Sequence, residues 1–460
     1  MRHPIVTRYF LVLAFAGTLC WARDGAAQAA QAPPSGSAAP LRLSLKQAVE
    51  IALAPEGNAR VRLAAEFVRQ TQAQASQARA ALLPNIDASV GQQNRTQNLE
   101  ALGLGLNFPT NPFFTFPKFI GPFNTFDARV TARQAVFDWS LIRRFQASRT
   151  GIGLAEAERT DAEDRVTSDV ARAYLTALRS EAALAAAQAD VDMSRALVSL
   201  AESQKRAGTG TGIEITRARV QLADGEQRLL LARNERTGAY LQLLRVIGVG
   251  LETPAELTEQ MALVPVQAPT PAQALELALQ SRADWLAQQK RLDAARLSYS
   301  SVKSERLPSV AVFGDYGSSG TSINNSLATR TYGFTVRVPV FDGGARDARR
   351  AQSSSQLRQE EVRSGDLRAQ IELDIRLALD NLASAEDQVK TADEGLALAE
   401  SELAQARRRY EAGVSIGLEV TDAQARLERA RENRILALYN HNLARITLAA
   451  ATGTIRRLIQ

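Results

Sequence analysis

RLPSVAVFGDYG, residues 306–317, and TYGFTVRVPVFD, residues 331–342, are two short segments of alternating character set among hundreds of helix-forming residues. In the second, Phe334, Val336, Val338 and Val340 alternate with Thr335, Arg337 and Pro339. This is the period of two that gives a strand one oily and one wet face. The first does the same, with Val310, Val312 and Tyr316 set against Ala311, Phe313 and Asp315. Such strands need lipid on one side and water on the other, and each is near the ~9 to 11 residues that cross a bilayer. The expected strands span about 308–317 and 331–342. An earlier pair matches them over about 84–92 (from Pro84 in LLPNIDASVG) and 128–138 (ARVTARQAVFD), so that Val136-Phe137-Asp138 answers Val340-Phe341-Asp342. The wet-face residues Asp87, Arg133, Asp315 and Arg337 are expected to line the lumen of a barrel. Phe137, Trp139 and Phe341 at the strand exits fit an interfacial aromatic belt, with core packing the competing account of Trp139.

The duplication extends well beyond the strands. Gln47–Leu53 (QAVEIAL) opens a helical stretch running from Leu43 to Ala81, and Gln273–Leu279 (QALELAL) opens its counterpart. The two stretches turn extended at Leu83-Pro84 and Leu307-Pro308, because a residue before proline avoids the helical region. After each strand pair comes a helical stretch, 141–206 and 345–411, which at ~1.5 Å per residue is about 100 Å long. In the second, Ile371, Ile375, Ala378, Leu382, Ala385, Val389, Ala392, Leu396, Ala399, Leu403, Ala406 and Tyr410 alternate steps of four and three. That 3.5-residue period specifies a left-handed coiled coil. The first stretch keeps the same register 205 residues earlier, from Val166 through Ala177, Ser180 and Ser194 to Val198. Both stretches end at glycine-bearing turns, expected as helical hairpin tips over about 207–216 and 412–421: Gly208, Gly210, Gly212 and Glu214 match Gly413, Gly417 and Glu419. Two repeats result, 43–250 and 271–454, joined by a linker at 251–270 and followed by a tail at 455–460. The copies differ most at the first strand apex, where a phenylalanine-rich loop, 108–126, is inserted. Self-packing of that loop competes with cover of the barrel mouth and with contact to lipid headgroups.

Residues 1–29 read as an export signal, with Arg2 and Arg8 before an apolar run and Ala27-Gln28-Ala29 as cleavage site. Residues 30–42 are a flexible lead-in. Cys20, the one cysteine, falls inside the signal, so no disulfide or thiolate metal site is expected. Loss of the signal lowers the formal charge from +6 to +4. The remaining charges are interspersed along helices, a solvated pattern that excludes a nucleic-acid patch. His441 stands between Asn440 and Asn442 without nucleophile or metal-ligand spacing, so neither an enzyme nor a cofactor is expected. Beyond the signal no apolar run suffices for a transmembrane helix. Any crossing must therefore use strands.

Four strands cannot close a barrel, since single-chain barrels start at about eight, and an open edge in lipid leaves backbone groups unpaired. The barrel must be shared between subunits, and a trimer would give twelve strands. On these strand pairs, paired coiled coils and two Gly-x-x-x-x-x-Glu tips, the chain resembles the TolC-like outer membrane efflux proteins over its whole mature length. The resemblance implies a mainly α fold with membrane β: a homotrimer whose 12-stranded barrel, set in outer-membrane lipid, continues into a periplasmic α-helical barrel. It further implies export through a tripartite efflux or type I secretion system, with a periplasmic adaptor and an inner-membrane pump or ABC transporter as partners. By the same resemblance Glu419, Asp422, Glu214 and Tyr410 become gate residues, and the tip glycines become adaptor-docking points. The gating arginine that some members carry after the second tip glycine is replaced by Val414 and Ser415, with Arg217 as a substitute. The competing reading of the tip acids is helix capping, and that of the glycines is turn geometry alone. A soluble periplasmic coiled-coil scaffold or adaptor is the rival for the whole chain, and the alternating strands argue against it.

Overall fold

The structure is a computed structural model that describes residues 40–99, 101 and 119–459. The expected signal, most of the lead-in and residues 108–118 of the phenylalanine-rich segment lie outside the described residues. In chain order the elements of the first half are β1 (Leu41–Leu43), α1 (Leu45–Leu53), α2 (Ala59–Ala80), β2 (Asn85–Asn98), β3 (Phe119–Phe137), α3 (Trp139–Arg206) and α4 (Gly212–Ile247). The second half adds β4 (Ala255–Leu257), α5 (Pro271–Ser281), α6 (Ala283–Ser304), β5 (Ser309–Gly320), β6 (Ser326–Arg337), α7 (Ala345–Glu411), α8 (Gly417–Ala451) and α9 (Ile455–Ile459).

The four long strands form one antiparallel sheet in the order β2-β3-β5-β6. Register places Ile86, Ala88, Val90, Val130, Ala132, Val312, Tyr316, Tyr332, Phe334 and Val336 on one face. Asp87, Arg129, Arg133, Asp315, Thr335 and Arg337 share the other. The helices flanking the strands keep the strands' order, with α2 on α3, α3 on α6 and α6 on α7. The sheet thus runs on into a wall of helices.

Two strand limits differ from the sequence reading. The first pair is longer, and Phe119–Phe126, expected as loop, belongs to β3. The last strand stops at Arg337, so Val338, Val340 and Phe341 stand outside the sheet and exposed. Pro339 lacks the N–H a ladder needs, and Gly343 and Gly344 follow with φ of +66° and +86° before α7 can start. Asp342 then accepts from the Arg346 backbone N–H (3.0 Å) and Nε (2.8 Å). In the first copy Asp138 caps α3 directly, accepting from the Leu141 N–H at 3.1 Å.

The helix expected from Leu43 to Ala81 is broken at Ala54–Asn58, as is its counterpart at Arg282. Each break seats the end of its repeat's last long helix. Gly248 (φ +82°) leaves no room for a Cβ beside Gly57, and Gly453 (φ +71°) none beside Arg282. Asn58 Nδ2 donates to the Val246 carbonyl (2.8 Å), and Arg282 donates to that of Ala451 (3.3 Å). The three-residue strands β1 and β4 pair in parallel, too short to show a period in sequence. The expected tail is α9, docked through buried Ile455 and through Arg456, which pairs with Asp164 (2.6 Å) and Glu163 (3.0 Å) on α3.

Every heptad position named on α7 from Ile371 to Tyr410 is buried or half-buried. The stripe packs on antiparallel α8, as Glu402–Arg426 (2.7 Å) and Asp393–Arg434 (2.6 Å) show. Glu202–Arg219 (2.8 Å) and Arg195–Glu226 (3.2 Å) set the same arrangement for α3 and α4. Alanine on alternate layers keeps the axes close, so a bulky residue at Ala378 or Ala385 would part α7 from α8; overpacking costs ~1 to 3 kcal/mol. α3 has a second buried stripe that the heptad reading lacks, including Tyr174, whose hydroxyl donates to the Leu43 carbonyl at 3.1 Å. It exists because α3 packs on α8 and α1 as well as on α4. Among the described residues no helix is long and apolar enough to cross a membrane.

Candidate gate at the helical tips

The two tips are built alike. Gly208 N–H donates to the Lys205 carbonyl (3.1 Å), and Thr209 and Gly210 donate to that of Gln204 (3.0 and 3.1 Å). At the second tip Gly413 donates to Tyr410 (3.0 Å), and Val414 and Ser415 donate to Arg409 (2.9 and 3.3 Å). Gly208 and Gly413 take φ of +79° and +68°, where a side chain costs ~1 to 2 kcal/mol. Gly210 has no space for a Cβ, 2.9 Å from the Lys205 backbone nitrogen, whereas Gly212 and Gly417 would meet only ordinary contacts. Turn geometry therefore explains three of these glycines and leaves two unexplained.

The starts of the returning helices differ. Thr211 and Glu214 form a capping box on α4, and the Glu214 carboxylate accepts the Thr211 N–H at 2.9 Å. Ile416, in the same place on α8, has no side chain able to cap. Glu214 supplies the acceptor from the other hairpin, taking the Gly417 N–H at 3.2 Å. One carboxylate thus serves two helix starts. The Thr211 backbone donor, then Gly417, the Thr211 hydroxyl and the Arg217 charge, hold its pKa below the usual carboxylate range despite some burial. A second tie runs alongside, from Gln204 Nε2 to the Tyr410 carbonyl (3.2 Å). Tyr410 is buried against this junction, and burial and the Glu214 charge push its phenol pKa up.

Glu419 and Asp422, both exposed, lie one turn apart at the start of α8, as their spacing requires. Glu419 does not stand free: Arg409, one residue before Tyr410, reaches its carboxylate at 3.4 Å. Arg217 lies instead on α4, where its charge acts on Glu214. Above the tips a polar seam joins the hairpins. Buried Gln424 donates to Ser194 Oγ (2.6 Å), Arg431 pairs with Asp190 (2.7 Å), and Glu428 takes Arg228 (2.8 Å) and Gln221 (3.1 Å). Burial raises the pKa of both Asp190 and Glu428, although their arginines pull the other way. Sequence reasoning missed Gln204, Arg409 and Gln424. Ser194 carried a legible signal, since a polar residue at a heptad position commonly sets register.

On the sheet, Asp87, Arg133, Asp315 and Arg337 share the polar face, and the structure adds Arg129, which pairs with Asp315 and Asp127 and reaches Thr329. The Phe313 ring on this face covers Gly333. A separate crevice of about 620 Å³ opens where α2, α3, α6, α7 and α8 meet, lined by Arg60, Asp164, Arg282 and Asp374 among others. Each of these carboxylates is ion-paired, Asp164 to Arg456 and Asp374 to Arg282. Such pairing fastens the helices to one another.

A family model described as outer membrane efflux protein matches residues 51–249 and 274–454. Pyoverdine export outer membrane protein OpmQ of Pseudomonas putida is 25% identical over 404 residues, covering 85% of this chain and 82% of its own. Proteases secretion protein PrtF of Dickeya chrysanthemi is 23% identical over 434 residues, covering 90% and 88%. Among solved structures, the outer membrane protein VceC of Vibrio cholerae superposes with a TM-score of 0.76 at 17% identity, covering 89% of this chain and 96% of that one.

Proposed function

This chain belongs to the outer membrane efflux protein family, and from that premise we propose that three copies close one barrel and carry its wall inward as a periplasmic tunnel. The protein is an outer-membrane export channel. The observation that carries it is a four-stranded sheet with one apolar face and two open edges, β2 and β6. In lipid those edges must be paired, because unpaired backbone groups in hydrocarbon cost several kcal/mol each, on the order of a lost hydrogen bond or more. Joining β6 of one copy to β2 of the next satisfies both.

In this reading the polar face lines the lumen and the tips form a gate at the far end. Tyr410, Glu214 and Gln204 hold each subunit's hairpins together, while Glu419 and Asp422 make the constriction negative and Arg409 moderates that charge. A periplasmic adaptor docks at the tip loops, and a pump or ABC transporter in the inner membrane delivers cargo. The names of the relatives span pyoverdine export and secretion of proteases, so the cargo class follows from the partner and not from this wall. A soluble coiled-coil scaffold is disfavoured by the apolar sheet face. Fractionation tests the reading: recovery with outer membranes, as a trimer in mild detergent that conducts in planar bilayers, is expected. A soluble periplasmic monomer would overturn it.

A further inference from the structure

On the apolar face of the sheet one residue breaks the pattern. The positions sharing that face are Ile86, Ala88, Val90, Gln92 and Asn94 on β2 and the even-numbered residues of β3, β5 and β6. Arg330 is the only charged residue among them within the paired region, and it is exposed with no side-chain partner among the described residues. Tyr316 stands directly across from it, and Tyr332 lies two residues along the same strand on the same face. Both phenols are largely exposed, at 65% and 82%. A guanidinium and two phenols therefore share a face that carries no other charge in the paired region.

Among the described residues, barrel closure brings no carboxylate to this face. The strand that would pair with β6 is the next copy's β2, and the apolar-facing positions of β2 carry no acid in any register. An arginine on a lipid-facing surface must find an anion or bend toward the interface. The location says which interface. Arg330 lies four residues from Ser326, where β6 leaves its hairpin turn, so it sits about 14 Å along the strand from that end. The helices join the opposite end. Arginine's planar fork matches phosphate oxygens in pairs, and tyrosine hydroxyls suit the sugar and phosphate level of a membrane interface.

We propose that Arg330, Tyr316 and Tyr332 form a binding site for a phosphorylated glycolipid of the outer leaflet. The site rests on the channel reading, which supplies the bilayer and its orientation. The test is native mass spectrometry of the delipidated full-length protein in mild detergent, titrated with diphosphorylated lipid A, dephosphorylated lipid A or phosphatidylglycerol. Wild type should hold the diphosphorylated lipid at least about tenfold more tightly than the other two. R330Q should erase that preference, R330K should keep part of it, and the Tyr316→Phe, Tyr332→Phe double variant should weaken it severalfold. Equal binding of the three lipids by wild type, or an unchanged preference in R330Q, would overturn the site. The same preparations are scored for trimer and for outer-membrane recovery. Protein that inserts normally but ignores R330Q loses only the lipid site, whereas protein that never inserts loses the channel reading and the site with it.

Discussion

Glu214 is the residue on which the most contacts at the tip depend. Glu214→Gln keeps one acceptor oxygen and must abandon either the Thr211 or the Gly417 N–H, at about 1 kcal/mol for a lost cap. Higher resting conductance with the trimer intact is expected in planar bilayers; conductance equal to wild type would mean that the Gln204 tie and the polar seam above it suffice to hold the tips. Acid is expected to act on the proposed gate in two opposed ways. Glu214 has a depressed pKa, so its contribution is complete above the unfolded carboxylate value of about 4 and is lost as pH falls through the lower folded value. Asp190 and Glu428 have raised values, so the seam strengthens as pH falls toward that range and each gains a proton. Resting conductance should therefore pass through a minimum as pH falls, rising again once Glu214 takes up its proton below the ordinary carboxylate value of about 4. A monotonic profile would show that one of the two sites does not report on closure. On the proposed gate the exposed acids set selectivity, so Glu419→Gln with Asp422→Asn should remove most of the cation preference under a salt gradient, and Arg409→Ala should sharpen it.

The paired hairpins have a length requirement that single residues do not. The Glu214 link to Gly417 forms only if both tips reach the same level, and α3 and α7 run 68 and 67 residues to get there. Removing the facing heptads 393–399 and 429–435 from the second hairpin should withdraw its tip by about 10 Å and abolish export. Removing 188–194 and 227–233 from the first as well should restore tip contact, read by a disulfide between cysteines placed at the two tips. Normal export from the single-hairpin deletion would refute a common tip plane. The long helices were legible because Ile371 to Tyr410 repeat one period without interruption, a signal that accumulates with length. The chain's short or shared features were not. β1 and β4 are too brief to show alternation, and Gln424 meets Ser194 across a distance in sequence that no local period spans. The early stop of β6 was readable in principle, since Pro339 and the glycine pair stand in the sequence. The run Val336, Val338, Val340 outweighed them.

For the whole molecule the faces of the sheet decide where the protein lives. Phe334→Arg places a charge on the apolar face and should deplete the outer-membrane trimer, by up to ~2 to 4 kcal/mol at mid-bilayer depth. Thr335→Arg, one residue on and facing the polar side, should assemble normally. Equal loss from both would mean that the sheet does not meet lipid on that side. The uneven capping of the two tips reaches just as far. The first hairpin terminates its own returning helix through Thr211, whereas the second borrows from its neighbour. If the hairpins part, as the proposed gate requires, Gly417 exchanges the Glu214 carboxylate for water, whereas Thr211 keeps its cap. On the proposed gate this contact would act as the return spring of a door: opening gives up a charge-assisted hydrogen bond, and closing restores it.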